Sequence, residues 1–262
     1  MKLPSQIKAM ILDMDGVLWR SEVPIGELTA IFDRMESLKL KYVFATNNAT
    51  LSPEAYVEKL ASFKVKVTSD RVITSAICVA NLIAHKFPSG GPVFVVGESG
   101  LIQALQEKNF SMVSIADAGN AQAVVVGLDR QVNFEKMREA TLLVKQGIPF
   151  YGTNPDKTFP TPRGEIPGAG AWISVISTAT GIEPIYAGKP YPRIIEIALE
   201  HLGTSNDETL VVGDRLETDM AAGQAAGCLC ALVLSGVSSR DQAECWMPPP
   251  DFIADDLTHL LA

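Results

Sequence analysis

Asp13-Met14-Asp15-Gly16-Val17 closes an apolar run, Ile7, Ala9, Met10, Ile11 and Leu12, which only Lys8 interrupts. Such a run, stopped by a turn signal, predicts a strand buried on both faces, as in a parallel sheet. The two carboxylates then fall just past the strand's C-terminal edge, where open α/β sheets bind their ligands. Residues i and i+2 of an extended segment point the same way, so Asp13 and Asp15 can face one small site. Two negative charges held that close are unfavourable without a cation or a shared proton. Gly16 permits the tight bend that follows. Taken alone, this D-x-D is an acidic turn; the buried strand and three later segments turn it into a chemical signal.

The 262 residues suffice for one large domain or two modest ones with a buried core. Hydrophobic residues make up 47% and charged residues 20%, the balance of a soluble globular chain. A net charge of −8 argues against nonspecific binding to nucleic acid or an acidic membrane. An anionic substrate must therefore be drawn in by local cations or helix N-termini. The start, Met1-Lys2-Leu3-Pro4-Ser5-Gln6, lacks the apolar core of a secretory signal, and no stretch approaches the roughly 18 apolar residues of a membrane span. Cys78, Cys228, Cys230 and Cys245 lack the paired spacings of a zinc site and read as reduced core thiols, which points to the cytoplasm.

Outward from the opening motif, Val17-Leu18-Trp19 and Val23-Pro24-Ile25-Gly26 predict a short hairpin or flap, and 27–40 a helix striped by Leu28, Ile31, Phe32, Met35 and Leu38. Tyr42 to Ala45 predicts a second buried strand. It stops at the hydroxyl- and amide-rich loop Thr46-Asn47-Asn48-Ala49-Thr50, and Ser52-Pro53-Glu54 opens a helix with a cap and an N1 proline. Free N–H groups at a helix entry suit an anion. Helix 75–87 follows, and Pro88-Ser89-Gly90-Gly91-Pro92 reads as a linker.

A second α/β series comes next: strand 93–96, helix 101–108, strand 123–126, helix 134–146 and strand 149–151. Residues 153–167 read as a long loop of the functional or mobile kind. Gly168-Ala169-Gly170 opens a helix over 171–179, but it lacks the third glycine and preceding strand of a dinucleotide fingerprint. Ile185-Tyr186-Ala187 leads to Gly188-Lys189-Pro190 and a helix over 193–201. Strand 209–212 ends at Gly213-Asp214-Arg215-Leu216-Glu217-Thr218-Asp219, followed by a small-residue helix 220–226, strand 229–234 and helical turns at 241–246 and 257–261.

Four segments thus place polar residues after a buried strand or its equivalent: Asp13/Asp15, Thr46/Asn47, Lys189 and Asp214/Asp219. In a doubly wound sheet such edges converge on one crevice. Oxygen donors without His or Cys favour a hard cation, Mg²⁺ first. A site with Mg²⁺, Lys and Thr/Asn donors complements phosphate, and a carboxylate able to attack phosphorus completes the parts for covalent phosphoryl transfer.

These four ordered motifs resemble those of the haloacid dehalogenase superfamily of phosphohydrolases. The position of the intervening block, with Thr46-Asn47-Asn48, Thr153-Asn154-Pro155-Asp156 and Gly188-Lys189-Pro190, resembles its branch with a large type IIA cap, which includes NagD-type and 4-nitrophenyl phosphate phosphatases. The likeness runs essentially the whole chain. It implies a Rossmann-like doubly wound parallel-sheet core at residues 1–84 and 184–262, with an inserted α/β cap at 85–183.

The resemblance further implies that Asp13 is the nucleophile and becomes an aspartyl phosphate. Asp15 would protonate the leaving alcohol and then activate water. Mg²⁺ would lie on Asp13, the backbone carbonyl of Asp15, and Asp214, with Asp219 orienting metal-bound water. Gly16, Thr46, Asn47, Asn48 and Lys189 would hold phosphate oxygens. In the cap, Asn154, Asp156, Phe159 and Arg163 are the candidates for substrate selection. Phe159 falls about where pyridoxal-phosphate-selective members often carry a His, which disfavours that substrate, and Arg163 suits a substrate carboxylate such as phosphoglycolate has.

An acid at Asp15 separates phosphatases and mutases from dehalogenases, whose halide leaves without a proton. The expected activity is hydrolysis of a small phosphomonoester, with phosphoglycolate, a nucleoside monophosphate or a sugar phosphate as candidates. A phosphomutase and a noncatalytic phospholigand-binding protein are the alternatives. By analogy alone, the partner to expect is a second copy, since relatives often form homodimers.

Overall fold

The computed structural model describes residues 3–161 and 163–262. The chain divides into two compact units, one running up to Thr46 and then over Pro53–Ile73 and Lys189–Ala262, the other comprising Asn47–Ser52 and Thr74–Gly188.

The first unit is built on a six-stranded sheet in the order Phe252–Ala254, Leu229–Val233, Thr209–Gly213, Ala9–Leu12, Lys41–Thr46, Val72–Thr74. The pairings among the first five are parallel. Ala9, Met10, Ile11 and Leu12 are all buried, as the apolar run predicts for a central strand. Burial of each large side chain there contributes about 1.5–3 kcal/mol.

Chain order reverses at the opening strand: Lys41–Thr46 and Val72–Thr74 extend one side, while Thr209–Gly213 and the two later strands extend the other. That is a topological switch point, and ligands of open α/β sheets bind at the C-terminal ends of its two strands. The register Leu12 opposite Val212 and Phe44 puts Asp13 beside Gly213 and Ala45. Trp19–Arg20 and Val23–Pro24 form the expected hairpin. The helix Leu28–Ser37 buries Leu28, Ile31, Phe32 and Met35, the stripe read from the sequence without Leu38, which is exposed beyond the helix end.

The second unit has a five-stranded parallel sheet in the order Ile185–Tyr186, Phe150–Gly152, Val124–Val126, Gly91–Val96, Phe110–Met112. Its core packs Phe94, Val124, Val126 and Phe150 against Leu143 and Ile173 from the helices Phe134–Lys145 and Ala169–Thr180. No helix among the described residues is long and apolar enough to cross a membrane.

Several expectations need correction. Residues 153–167 are not a featureless loop: Thr158–Thr161 pairs antiparallel with Gly164–Pro167. Two Thr and a β-branched Ile outweigh Pro160 and Pro167, which sit in a two-stranded ribbon where a missing N–H is tolerated. Gly91 and Pro92 belong to a strand rather than a linker, so the break is a turn at 88–90. The strand Ile185–Tyr186 before Lys189 pairs with Phe150–Gly152 in the second sheet, so Lys189 does not enter from an edge of the first. The helix expected from Met220 is preceded by a wider turn over Leu216–Met220, and only Ala221–Ala225 is α-helical. Cys78, Cys228 and Cys230 are buried free thiols, but Cys245 is exposed. The strands Val72–Thr74, Phe110–Met112 and Phe252–Ala254 are too short for periodicity to reveal.

Candidate active site

Within the first unit, Asp13 and Asp214 stand one residue beyond the two strands of the switch point. Asp219 follows on the wide turn Leu216–Met220. The carboxylates of Asp13, Asp214 and Asp219 each bring an oxygen within 4.8 Å of the others, and all three residues are buried. Lys189, 3% exposed, reaches between them. Its Nζ donates to Asp13 Oδ1 at 2.6 Å, to Asp219 Oδ1 at 2.5 Å and to the Ala45 carbonyl at 2.9 Å. These three bonds hold the ammonium between the acids.

The remaining oxygens divide the labour. Asp219 Oδ2 accepts from the Arg215 N–H at 3.0 Å, so both of its oxygens are engaged. Asp214 Oδ2 accepts from the Val237 N–H at 2.8 Å, and its carbonyl from Ser238 N–H at 3.0 Å. Asp214 is thereby fixed through one oxygen, and Asp13 through the oxygen that meets Lys189.

Glycine makes this crowding feasible. A Cβ at Gly236 would come within 1.9 Å of Asp214 Oδ2, and one at Gly213 within 2.1 Å of Asp219 Cβ. Gly16 has φ +87°, a left-handed conformation, and its added Cβ would meet Asp214 Oδ2 at 2.4 Å. The bend predicted there is thus also a close approach to a carboxylate.

The electrostatics follow from burial. Burial pushes the Asp13 carboxyl well above its usual range; the Lys189 ammonium pulls it down, while Asp219 and Asp214 push it up again. Burial and then the Asp219 charge push Asp214 up to about 7. Burial alone would depress Lys189, but Asp13 and Asp219 outweigh it and hold the ammonium above its ordinary value. Three acids with one ammonium leave excess negative charge in a buried space. That surplus, on oxygen donors alone, fits a hard divalent cation such as Mg²⁺.

Asp15 is set apart from this cluster. Its Oδ1 accepts from Trp19 Nε1 at 2.9 Å, and the Gly16 N–H donates to the Trp19 carbonyl at 2.7 Å. Trp19 is fully buried, with Lys59 Nζ 4.6 Å from its ring centroid. The motifs do not single out Trp19; its place four residues after Asp15, across a glycine turn, is the signal that could have done so. Tyr56 is a second residue the motifs do not reveal. Burial and then the Asp15 charge raise its phenol well above its usual range, while a hydrogen bond with Thr46 pulls the other way. Ser235 Oγ donates to the Gly16 carbonyl at 2.7 Å, tying down the turn.

The second unit organises the remaining candidates. Asn47 Nδ2 donates to Asp156 Oδ2 at 3.1 Å and Oδ1 at 3.2 Å. The Asn47 carbonyl accepts from Ser75 Oγ at 2.6 Å and Asn154 Nδ2 at 2.7 Å. Asn154 Oδ1 in turn accepts from the Asp156 N–H at 3.1 Å, an Asx turn. Asn48 Oδ1 accepts from Thr50 N–H and Oγ1, which shapes its own loop. Gly188 is required here too, since a Cβ would approach Asn47 Oδ1 and the Thr153 carbonyl at 2.6 Å. Phe159 lies on the hairpin opposite Ile166, and Arg163 is exposed at its turn with its N–H on Thr161 Oγ1 at 3.3 Å. Phe159 and Arg163 are therefore not part of the Asn47–Asp156 network.

Known proteins resemble this chain over nearly its whole length. Residues 10–111 match the family described as haloacid dehalogenase-like hydrolase, and 186–260 a related hydrolase-like family. The chain is 36% identical over 251 residues to the 5'-nucleotidase YutF of Bacillus subtilis, covering 96% of each. It is 36% identical over 257 residues to an acid sugar phosphatase of Staphylococcus aureus, covering 98% of each. Among solved structures, a p-nitrophenyl phosphatase from Archaeoglobus fulgidus superposes with a TM-score of 0.89 at 36% identity, covering 97% of this chain and 98% of that one. Identity at this level over full length, with the carboxylate cluster in place, makes the chain a member of the haloacid dehalogenase-like hydrolase family.

Proposed function

We propose that the chain is a Mg²⁺-dependent phosphomonoesterase that passes the phosphoryl group of a small metabolite first to Asp13 and then to water. The observation that carries this reading is the state of Asp13: a buried carboxylate pinned through Oδ1 by Lys189, beside two further acids suited to a cation. A fixed oxygen on one side orients the other for attack, which removes orientational entropy from the barrier.

In the first step Asp13 Oδ2 bonds to phosphorus and the ester P–O bond breaks. Asp15 gives its proton to the departing alcohol oxygen, and Trp19 fixes the carboxyl that does so. In the second step Asp15 takes a proton from water, whose oxygen bonds to phosphorus as the bond to Asp13 breaks. Inorganic phosphate leaves and Asp13 is regenerated.

Lys189, Thr46, Asn47, Asn48 and the Gly16 turn hold phosphoryl oxygens, and preorganised donors of this kind stabilise charge that develops in the transition state. Asp219 keeps Lys189 in place. Asp13, the Asp15 backbone carbonyl and Asp214 would hold Mg²⁺, which when bound neutralises charge on the phosphoryl oxygens.

In this reading the six-stranded unit is the catalytic core. The second unit is the cap, in which Asn154, Asp156, Phe159 and Arg163 contribute to substrate choice. The names of two relatives, a 5'-nucleotidase and an acid sugar phosphatase, support a nucleoside monophosphate or sugar phosphate as substrate. Release of 4-nitrophenol from 4-nitrophenyl phosphate with and without Mg²⁺, followed by a panel of nucleotides, sugar phosphates and phosphoglycolate, tests the reading. No release in Mg²⁺ from any of them would end it.

A further inference from the structure

At the other end of the six-stranded sheet lies a pocket of about 600 Å³, within the range of small-molecule sites. It opens beside Lys41 and Tyr42, at the start of the strand Lys41–Thr46. At about 3.3 Å per residue, that is roughly 17 Å from Thr46 and the carboxylate cluster.

Its walls are chemically uneven. Lys39, Lys64, Lys66 and Arg71 line it as cations, and Asp33 and Glu36 line it as acids from the helix Leu28–Ser37. Among the described residues none of these four cations makes a salt bridge, in a chain whose net charge is −8. The Arg71 guanidinium lies 4.5 Å over the Tyr42 ring, which holds it at the pocket wall.

The backbone adds a second, independent observation. Lys39 and Lys64 have φ +56° and +63°, two of four non-glycine residues in the left-handed region among those described. Each follows a helix end closed by the same pair of bonds: Lys39 N–H to Glu36 and Leu40 N–H to Met35, then Lys64 N–H to Ala61 and Val65 N–H to Leu60. Glycine is the default at this position because a Cβ is strained there. Keeping a lysine at both turns costs conformational energy, and both side chains line the same pocket. Strain retained in this way is a mark of functional sites.

We propose that this pocket is a second ligand site for a small phosphorylated molecule that also carries hydroxyl donors. Lys39, Lys64, Lys66 and Arg71 take the phosphate oxygens, and Asp33 and Glu36 accept from the hydroxyls. A bare polyanion would leave those two carboxylates facing negative charge, so the donors are part of the assignment. The site does not depend on the proposed chemistry at Asp13.

Isothermal titration of the full chain with fructose 1,6-bisphosphate and, separately, with inorganic pyrophosphate tests this, in buffer free of divalent cations. The sugar bisphosphate should bind saturably to wild type and equally to Asp13→Asn, which separates this pocket from the carboxylate cluster. Binding should weaken at least about tenfold when Lys64 and Arg71 are both replaced by Gln, because two charge-assisted bonds are lost. Turnover of 4-nitrophenyl phosphate by that double variant should stay within about twofold of wild type.

Lys64→Gly guards against a folding artefact. It relieves the left-handed strain, so its melting temperature should match or exceed wild type while binding falls. Binding that survives in the double variant, or no saturation up to about 10 mM, overturns the site. Pyrophosphate binding as tight as the sugar bisphosphate overturns the role of Asp33 and Glu36.

Discussion

Replacing Trp19 with Phe removes one donor and keeps most of the ring. The donor is Nε1, 2.9 Å from Asp15 Oδ1, and the side chain is fully buried. A hydrogen bond to a charged group contributes about 1.5–3 kcal/mol. If that energy is spent on orienting Asp15, its loss appears in the barrier, where each 1.36 kcal/mol is about tenfold in rate. The expected fall in kcat is therefore about ten- to a hundredfold, with KM changing less, because the lost bond orients a proton donor that acts in the transition state. The smaller ring costs some stability as well, on the order of 1–3 kcal/mol.

The diagnostic is leaving-group dependence. 4-Nitrophenolate leaves almost without a proton, whereas an alkyl alcohol needs one, so a weakened acid hurts alkyl phosphates more. Steady-state kinetics on 4-nitrophenyl phosphate and on a sugar phosphate, with thermal melts alongside, give both readouts. Equal losses on the two substrates, or a kcat within about twofold on both, would refute the positioning of Asp15 by Trp19.

Asp13→Asn should abolish turnover while its melting temperature holds or rises, since one of three buried carboxylates becomes neutral; measurable multiple turnover would rule out the nucleophile. Lys189→Met should leave Asp13 and Asp219 buried without their cation, and breaking such a pair costs about 3–5 kcal/mol, readable as a lower urea midpoint in chelator. Gly236→Ala puts a Cβ 1.9 Å from Asp214 Oδ2, so the carboxylate must move. The Mg²⁺ concentration for half-maximal activity should then rise about tenfold or more. An unchanged Mg²⁺ requirement would remove Asp214 from the cation site.

The site was legible where chemistry and local geometry coincide in the chain. Asp13 after the buried strand and Asp214 after Val212 were found because a strand that stops at a carboxylate can be read from a dozen residues. Lys189 was found through its motif, yet the strand before it pairs in the other sheet. Nothing local tells one short apolar segment which sheet it will join. Trp19 looked like a core residue because it is one; its second role depends on where an indole N–H points. The hairpin at Thr158–Thr161 and Gly164–Pro167 was hidden by prolines, whose usual meaning as breakers does not hold in a two-stranded ribbon.

The sequence alone determined the alternation of strands and helices, the central place of Ile7 to Leu12, and an inventory of acids, amides and one lysine of a kind suited to phosphate. Apolar periodicity and side-chain chemistry are carried by each residue with its near neighbours. Only the tertiary structure decided that Lys189 Nζ spans Asp13 and Asp219, that Gly16, Gly213 and Gly236 make room for carboxylates, and that Lys39 and Lys64 meet at one pocket. Those facts are distances between residues far apart in the chain, 176 positions for Lys189 and Asp13, and the packing of the whole sheet sets them.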